Sequence, residues 1–355
     1  MKKSHVKTAV AAAILVVCSG AHALTFNYTF TPTSTQADID AFTAAGAIWS
    51  SYFTDDVTIN LNVGTAALGA GILAQAGSTR TNVAYGSFRD SLVADAGSAA
   101  DLQAVGTLSG GSSFDMLLNR TSNNPNGAGS ATAYLDNDGD ANNSSVWLTT
   151  ANAKALGYTF SPAASDAQIT FSNAFSWDYD GSDGIDANSF DFIGIAVHEI
   201  GHALGFVSGV DILDINSPPV NGPFLDNQFT FVSSLDLFRY SVASTALGVI
   251  DWTASTTDKY FSLDQGQTAI ASFSTGRNFG DGQQASHWKD SLGIGILDPT
   301  AARGELLAIT DTDLLAFDVI GWNVAAIPEP STYAMMALGL FGIGAARRRA
   351  AQRRG

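Results

Sequence analysis

The chain has 355 residues, 46% of them apolar and 14% charged, so it can bury a large core as one or two domains and is not disordered. Its formal net charge is −16, and between residues 24 and 327 nine Lys/Arg stand against 32 Asp/Glu, a balance that repels nucleic acid and anionic membranes. The single cysteine, Cys18, falls in an apolar leader, so the chain beyond that leader can form no disulfide.

Residues 1–23 read as a secretory signal peptide. Lys2, Lys3 and Lys7 form its basic end, an apolar run follows, and Ala21-His22-Ala23 fits a cleavage site that leaves Leu24 first. Residues 24–30 alternate as a strand does. Residues 37–53 are expected to be helical, with Phe42, Ile48, Trp49 and Phe53 on the apolar side. A strand follows at 57–63, two short helices at 84–107, a Gly/Ser/Asn-rich loop at 109–131, and short strands at 146–150 and 168–171. Two acidic loops lie in this half, Asp136-Asn137-Asp138-Gly139-Asp140 and residues 178–186. Clustered carboxylates can hold calcium. Neither loop has EF-hand spacing, and solvated turns are the simpler reading.

A helix is expected at about 190–204, started by Ser189 or Asp191 and stopped by Gly205. It carries Val197-His198-Glu199-Ile200-Gly201-His202, an H-E-x-x-H motif. Residues four apart share one helix face, so His198 and His202 can present two neutral imidazoles to one zinc ion. Glu199 can then act as general base toward a water. The chain holds only five His and three Glu, and chance would place this pattern in such a composition about once in a thousand sequences.

Catalytic zinc needs a third protein ligand and an open position. Ser208, three residues past the helix glycine, is a poor donor; Asp211 is a candidate out of register. His5 and His22 lie in the leader, which leaves His287 as the remaining imidazole.

The segment Ser286-His287-Trp288, followed by Gly295-Ile296-Leu297-Asp298-Pro299, together with residues 197–206, resembles the leishmanolysin-like metzincins. In that family a long insertion separates the helix glycine from the third histidine, and a Met-containing turn passes under the metal. The resemblance implies zinc on His198, His202 and His287. Leu297 stands where that turn has methionine, an apolar residue of similar volume. It also implies an α+β, metzincin-like fold: an upper subdomain (24–205) with a mixed sheet and the active-site helix, and a lower one (206–326) with the insertion that completes the zinc site. Strands are expected in the insertion at 229–232, 235–242 and 260–263, and a closing helix at 311–320. Tyr240 or Tyr260 is a candidate to stabilise an oxyanion.

From residue 327 the character changes. Pro328-Glu329-Pro330 precedes an apolar run at 333–346 and a cluster ending in Arg347, Arg348, Arg349, Arg353 and Arg354. The run is shorter than the ~20 residues of a comfortable membrane span. Residues 327–355 resemble the PEP-CTERM sorting signal, which implies an exosortase as partner, transient insertion in the inner membrane, and delivery to the surface or matrix of a Gram-negative bacterium. The functional expectation is an exported zinc endopeptidase acting on protein or peptide. The alternative is a non-proteolytic surface or matrix protein with a structural zinc site.

Overall fold

A computed structural model describes residues 24–222 and 224–325. The signal-peptide reading of 1–23 and the sorting-tail reading of 327–355 fall outside those residues. The first half runs β1 (Thr25–Phe30), α1 (Gln36–Tyr52), β2 (Thr58–Ala66), β3 (Ala74–Ser78), β4 (Arg80–Ala84), α2 (Tyr85–Asp95) and α3 (Ala99–Thr107). It continues through β5 (Met116–Leu118), β6 (Tyr134–Asp136), β7 (Ser145–Thr149), α4 (Thr150–Ala155), β8 (Ala167–Ser172), β9 (Trp177–Asp178), β10 (Phe190–Asp191) and α5 (Phe192–Leu204).

The main sheet has the order β1-β2-β8-β3. The first three strands are parallel and β3 runs antiparallel along one edge, so the sheet is mixed as expected. Helix α1 starts at a capping box, in which the Thr35 hydroxyl and the Asp38 carboxylate each accept from the other's backbone N–H. Its buried face meets α5 and the sheet through Phe42, Phe171 and Phe192, whose ring centroids lie 4.4–5.5 Å apart. The Trp49 indole donates to the Val197 carbonyl (2.9 Å), fixing α1 against the helix that carries the motif.

The second half runs α6 (Val210–Asn216), β11 (Arg239–Tyr240), α7 (Val242–Leu247), β12 (Ile250–Asp251), β13 (Lys259–Phe261), β14 (Ala271–Phe273) and α8 (Asp311–Val319). Strand β12 pairs in parallel with β5, so strand pairing joins residues on either side of position 205. The described residues are thus α+β, with several small sheets beside the main one.

Several elements depart from the sequence reading. The loop expected at 109–131 contains β5, an apolar triplet too short to show a period, buried between β12 and β6. Strand β3, Ala-Gln-Ala-Gly-Ser, has no β-forming residue and exists by pairing with β8. Residues 229–232 do not form a strand, and 235–238 make a 3₁₀ turn. The reason is Asp236, whose buried carboxylate gathers the backbone N–H groups of Gly209 (2.7 Å) and Ser233 (2.9 Å) and the Trp252 indole (3.0 Å). Collecting donors from both sides bends the chain out of an extended run.

Candidate metal centre

Helix α5 is capped by Asp191, not Ser189: one carboxylate oxygen accepts from Gly194 N (2.8 Å) and the other from Leu307 N (3.1 Å). It ends at Gly205, whose φ of +129° suits glycine. Immediately past that stop, the Phe206 carbonyl faces back toward His202.

The three histidines converge. Nε2 of His202 lies 3.0 Å from Nε2 of His198 and 3.1 Å from Nε2 of His287, and the third side of the triangle is 3.3 Å. Each Nδ1 faces a backbone carbonyl: Ile296 for His198 (2.7 Å), Phe206 for His202 (2.7 Å) and Gln284 for His287 (3.3 Å). A carbonyl only accepts, so each Nδ1 carries the proton and each Nε2 presents a lone pair. Three lone pairs pointed at one another call for a cation between them. Tetrahedral zinc at ~2.0–2.1 Å from each nitrogen sets N···N separations of about 3.3 Å, close to the triangle here. The donor set and its spacing therefore fit zinc. His287 is buried, while His198 and His202 are partly open to solvent, so the centre is not sealed.

Burial keeps these rings neutral. Desolvation depresses His198 to about 4 and His202 to about 3, and drives His287 well below the usual imidazole range. Glu199 is buried beside them, and desolvation lifts its carboxyl to about 8, against the opposing pull of the Ala76 backbone on β3. Strand β3 is thus the wall of the centre, and the Ser78 hydroxyl joins it to α5 by donating to the His202 carbonyl (3.2 Å).

The floor is Leu297. It is fully buried, and its methyl carbons would sit 3.2–3.3 Å from a Cβ placed on Gly201, so a side chain between the two helix histidines would press on this residue. Asp313 on α8 holds the turn in place, accepting from Ile296 N (2.8 Å) and from the Trp288 indole (2.8 Å). The residue whose carbonyl orients His198 and the residue after His287 therefore donate to one carboxylate.

Asp211 is a positioning residue, not a ligand. Its carboxylate accepts from Ala285 N (2.7 Å), Ser286 N (3.1 Å) and the Ser286 hydroxyl, gripping the chain just before His287. Ser208 likewise gives its hydroxyl to Asp236. Arg239, buried and donating to the Ser274 (2.6 Å) and Ala285 (3.4 Å) carbonyls, holds the same stretch from its other side. Sequence reasoning missed Asp211, Asp236, Arg239 and Asp313 in these roles, because no local pattern marks a carboxylate or guanidinium whose partners lie elsewhere in the chain.

The two tyrosines are engaged away from the histidines. The Tyr260 hydroxyl donates to the Gly266 carbonyl (2.9 Å), and Tyr240 lines a separate cavity with Tyr85 and Phe114. The acidic loop at 178–186 closes on its own backbone. Asp178 accepts from Asp186 N (2.8 Å) and Asp180 N (3.0 Å), which hold its carboxyl below the usual range, and Asp180 is held low by the Ser182 hydroxyl and then by Ser182 N (3.0 Å).

Residues 326–349 match the family described as the PEP-CTERM protein-sorting motif. The match implies recognition by an exosortase-like sorting enzyme, with export and surface sorting in a Gram-negative bacterium. No curated protein and no solved structure matches the chain. No helix among the described residues is long and apolar enough to cross a membrane, and the apolar run at 333–346 lies outside them.

Proposed function

We propose that the protein is an exported zinc-dependent endopeptidase whose centre is His198, His202 and His287, with Glu199 as general base. One observation carries this reading: three imidazoles with anchored Nδ1 protons turn their free Nε2 atoms toward one point, on a helix that also holds a buried carboxylate. When bound, zinc at such a site lowers the pKa of water and polarises a carbonyl. Burial alone would keep the Glu199 carboxyl protonated at neutral pH; a cation beside it favours the carboxylate, which takes the proton of the hydrolytic water and returns it to the amide nitrogen as the C–N bond breaks.

Strand β3 suits a peptide substrate. It is the edge of the main sheet, so one side of its backbone has no strand partner among the described residues, and an extended peptide can add there by main-chain hydrogen bonds. Apart from Gln75 its residues are Ala, Gly and Ser, which lets such a backbone come close to the helix. The similarity to leishmanolysin-like metzincins in residues 197–206 and 286–299 supports the same activity, with Leu297 replacing the methionine of the turn.

The test is the Glu199→Gln variant. Gln keeps the shape and cannot accept a proton. We expect casein hydrolysis to fall by roughly 10²–10⁴-fold while zinc content stays that of the unmodified protein. Hydrolysis persisting in the variant would remove Glu199 from the chemistry. A zinc-loaded protein that cleaves neither casein nor gelatin would favour a structural zinc site in a surface protein.

A further inference from the structure

A second group of side chains converges far from the histidines. Asp136 ends β6, Asp138 lies in the turn after it, and Asp226 comes from the segment that follows α6. One carboxylate oxygen from each lies within 4.8 Å of the others. Calcium takes oxygen ligands at about 2.3–2.6 Å, so two ligands on opposite sides of one ion stand at most about 5 Å apart, and this spacing accommodates all three.

Three acids so close need compensation. Asp136 and Asp226 are buried, Asp138 is exposed, and no ion pair among the described residues involves any of them. Burial and the neighbouring Asp226, Asp138 and Asp140 carboxylates push Asp136 up to about 7, with the Asn142 amide opposing.

Asn142 supplies an independent observation. It is fully buried, and its amide nitrogen donates to Asp136 Oδ2 at 2.7 Å, which places the amide in the cluster. Its Oδ1 is buried with no hydrogen-bond partner. A buried amide oxygen left without a donor is costly. A half-turn about χ2 exchanges the two ends of the amide and presents Oδ1 beside Asp136. That arrangement repels the carboxylate unless a cation lies between them.

We propose that Asp136, Asp138 and Asp226, with the amide oxygen of Asn142, form a calcium site that clamps the segment after α6 to the turn after β6. The contacts already present prepare this clamp. The Tyr134 hydroxyl lies 3.3 Å from Asp226 Oδ2 and 2.8 Å from the Thr121 hydroxyl, and Asp226 N donates to Asn123 (3.1 Å). The site therefore joins three stretches of chain that share no regular sheet.

The experiment is metal titration of the mature, zinc-loaded protein, by calorimetry with Ca²⁺ and by Tb³⁺ luminescence excited through tyrosine, Tyr134 being next to the site. The expected result is one Ca²⁺ per chain, a Tb³⁺ signal that Ca²⁺ displaces, and a loss of about tenfold or more in calcium affinity in both Asp226→Asn and Asp138→Asn. Asp138 is exposed, so Asp138→Asn keeps the fold even if Asp226→Asn does not. Asp180→Asn, in the other acidic loop, is expected to bind as the unmodified protein does. No calcium bound at millimolar concentration, equal affinity in Asp138→Asn, or loss in Asp180→Asn alone would overturn the proposal. Zinc content, measured alongside, reports the histidine centre separately.

Discussion

The histidine centre and the acidic cluster are built on one plan from opposite chemistry. Each takes two residues close in sequence, His198 with His202 or Asp136 with Asp138, and a third from far along the chain, His287 or Asp226. In the histidine centre the second layer is complete. Every Nδ1 has its carbonyl, and Asp313 and Asp211 hold the segments that supply Ile296 and His287. In the acidic cluster the second layer is not complete, because Asn142 Oδ1 and Asn143 Oδ1 are both buried without partners. A neutral imidazole tolerates burial with or without an ion. Buried carboxylates do not, so the cluster carries unpaired charge until an ion or protons offset it.

That contrast gives an order of effects. The largest is expected from His287→Ala, which leaves two ligands on α5 and should abolish stoichiometric zinc binding, read by metal analysis of the purified variant. Calcium affinity should not move, since the two sites share no side chain. Zinc retained at one per chain would mean that the third ligand is another group and that the 286–299 segment has a different purpose.

A smaller effect is expected from Asp211→Ala. Here His287 keeps its ring but loses the carboxylate that holds Ala285 and Ser286. Removal of such a support typically lowers metal affinity by about 10–100-fold, and Asp211→Asn, which retains one acceptor oxygen, should lose less. Competition with a zinc-binding dye measures both. If Asp211→Ala were as damaging as His287→Ala, Asp211 would be a ligand rather than a support. No change at all would mean that Arg239 alone suffices to hold the loop.

What was legible in the sequence follows the same division. The H-E-x-x-H helix could be read because its residues lie within one turn of each other and its cap and stop are local: Asp191 before it, Gly205 after it. Helices α1 and α8 were legible through their periodic apolar residues. His287 was reached by counting imidazoles and by its Trp neighbour, not by any local pattern. Asp226 offered no signal, since its role depends on a turn far earlier in the chain. The two acidic loops make the point most sharply. They look alike in sequence, yet Asp178 and Asp180 are satisfied by donors of their own loop, while Asp136 and Asp138 meet a third acid. Strand β3 was hidden for a related reason, because pairing with β8, not composition, makes it a strand.

The central claim, a hydrolytic zinc centre on His198, His202 and His287, is tested most directly by one measurement: casein hydrolysis by the purified mature protein as isolated, after removal of zinc by a chelator, and after zinc alone is returned. The expected result is activity that disappears with the metal and returns with one equivalent of zinc per chain. Hydrolysis undiminished in fully zinc-depleted protein would contradict the claim.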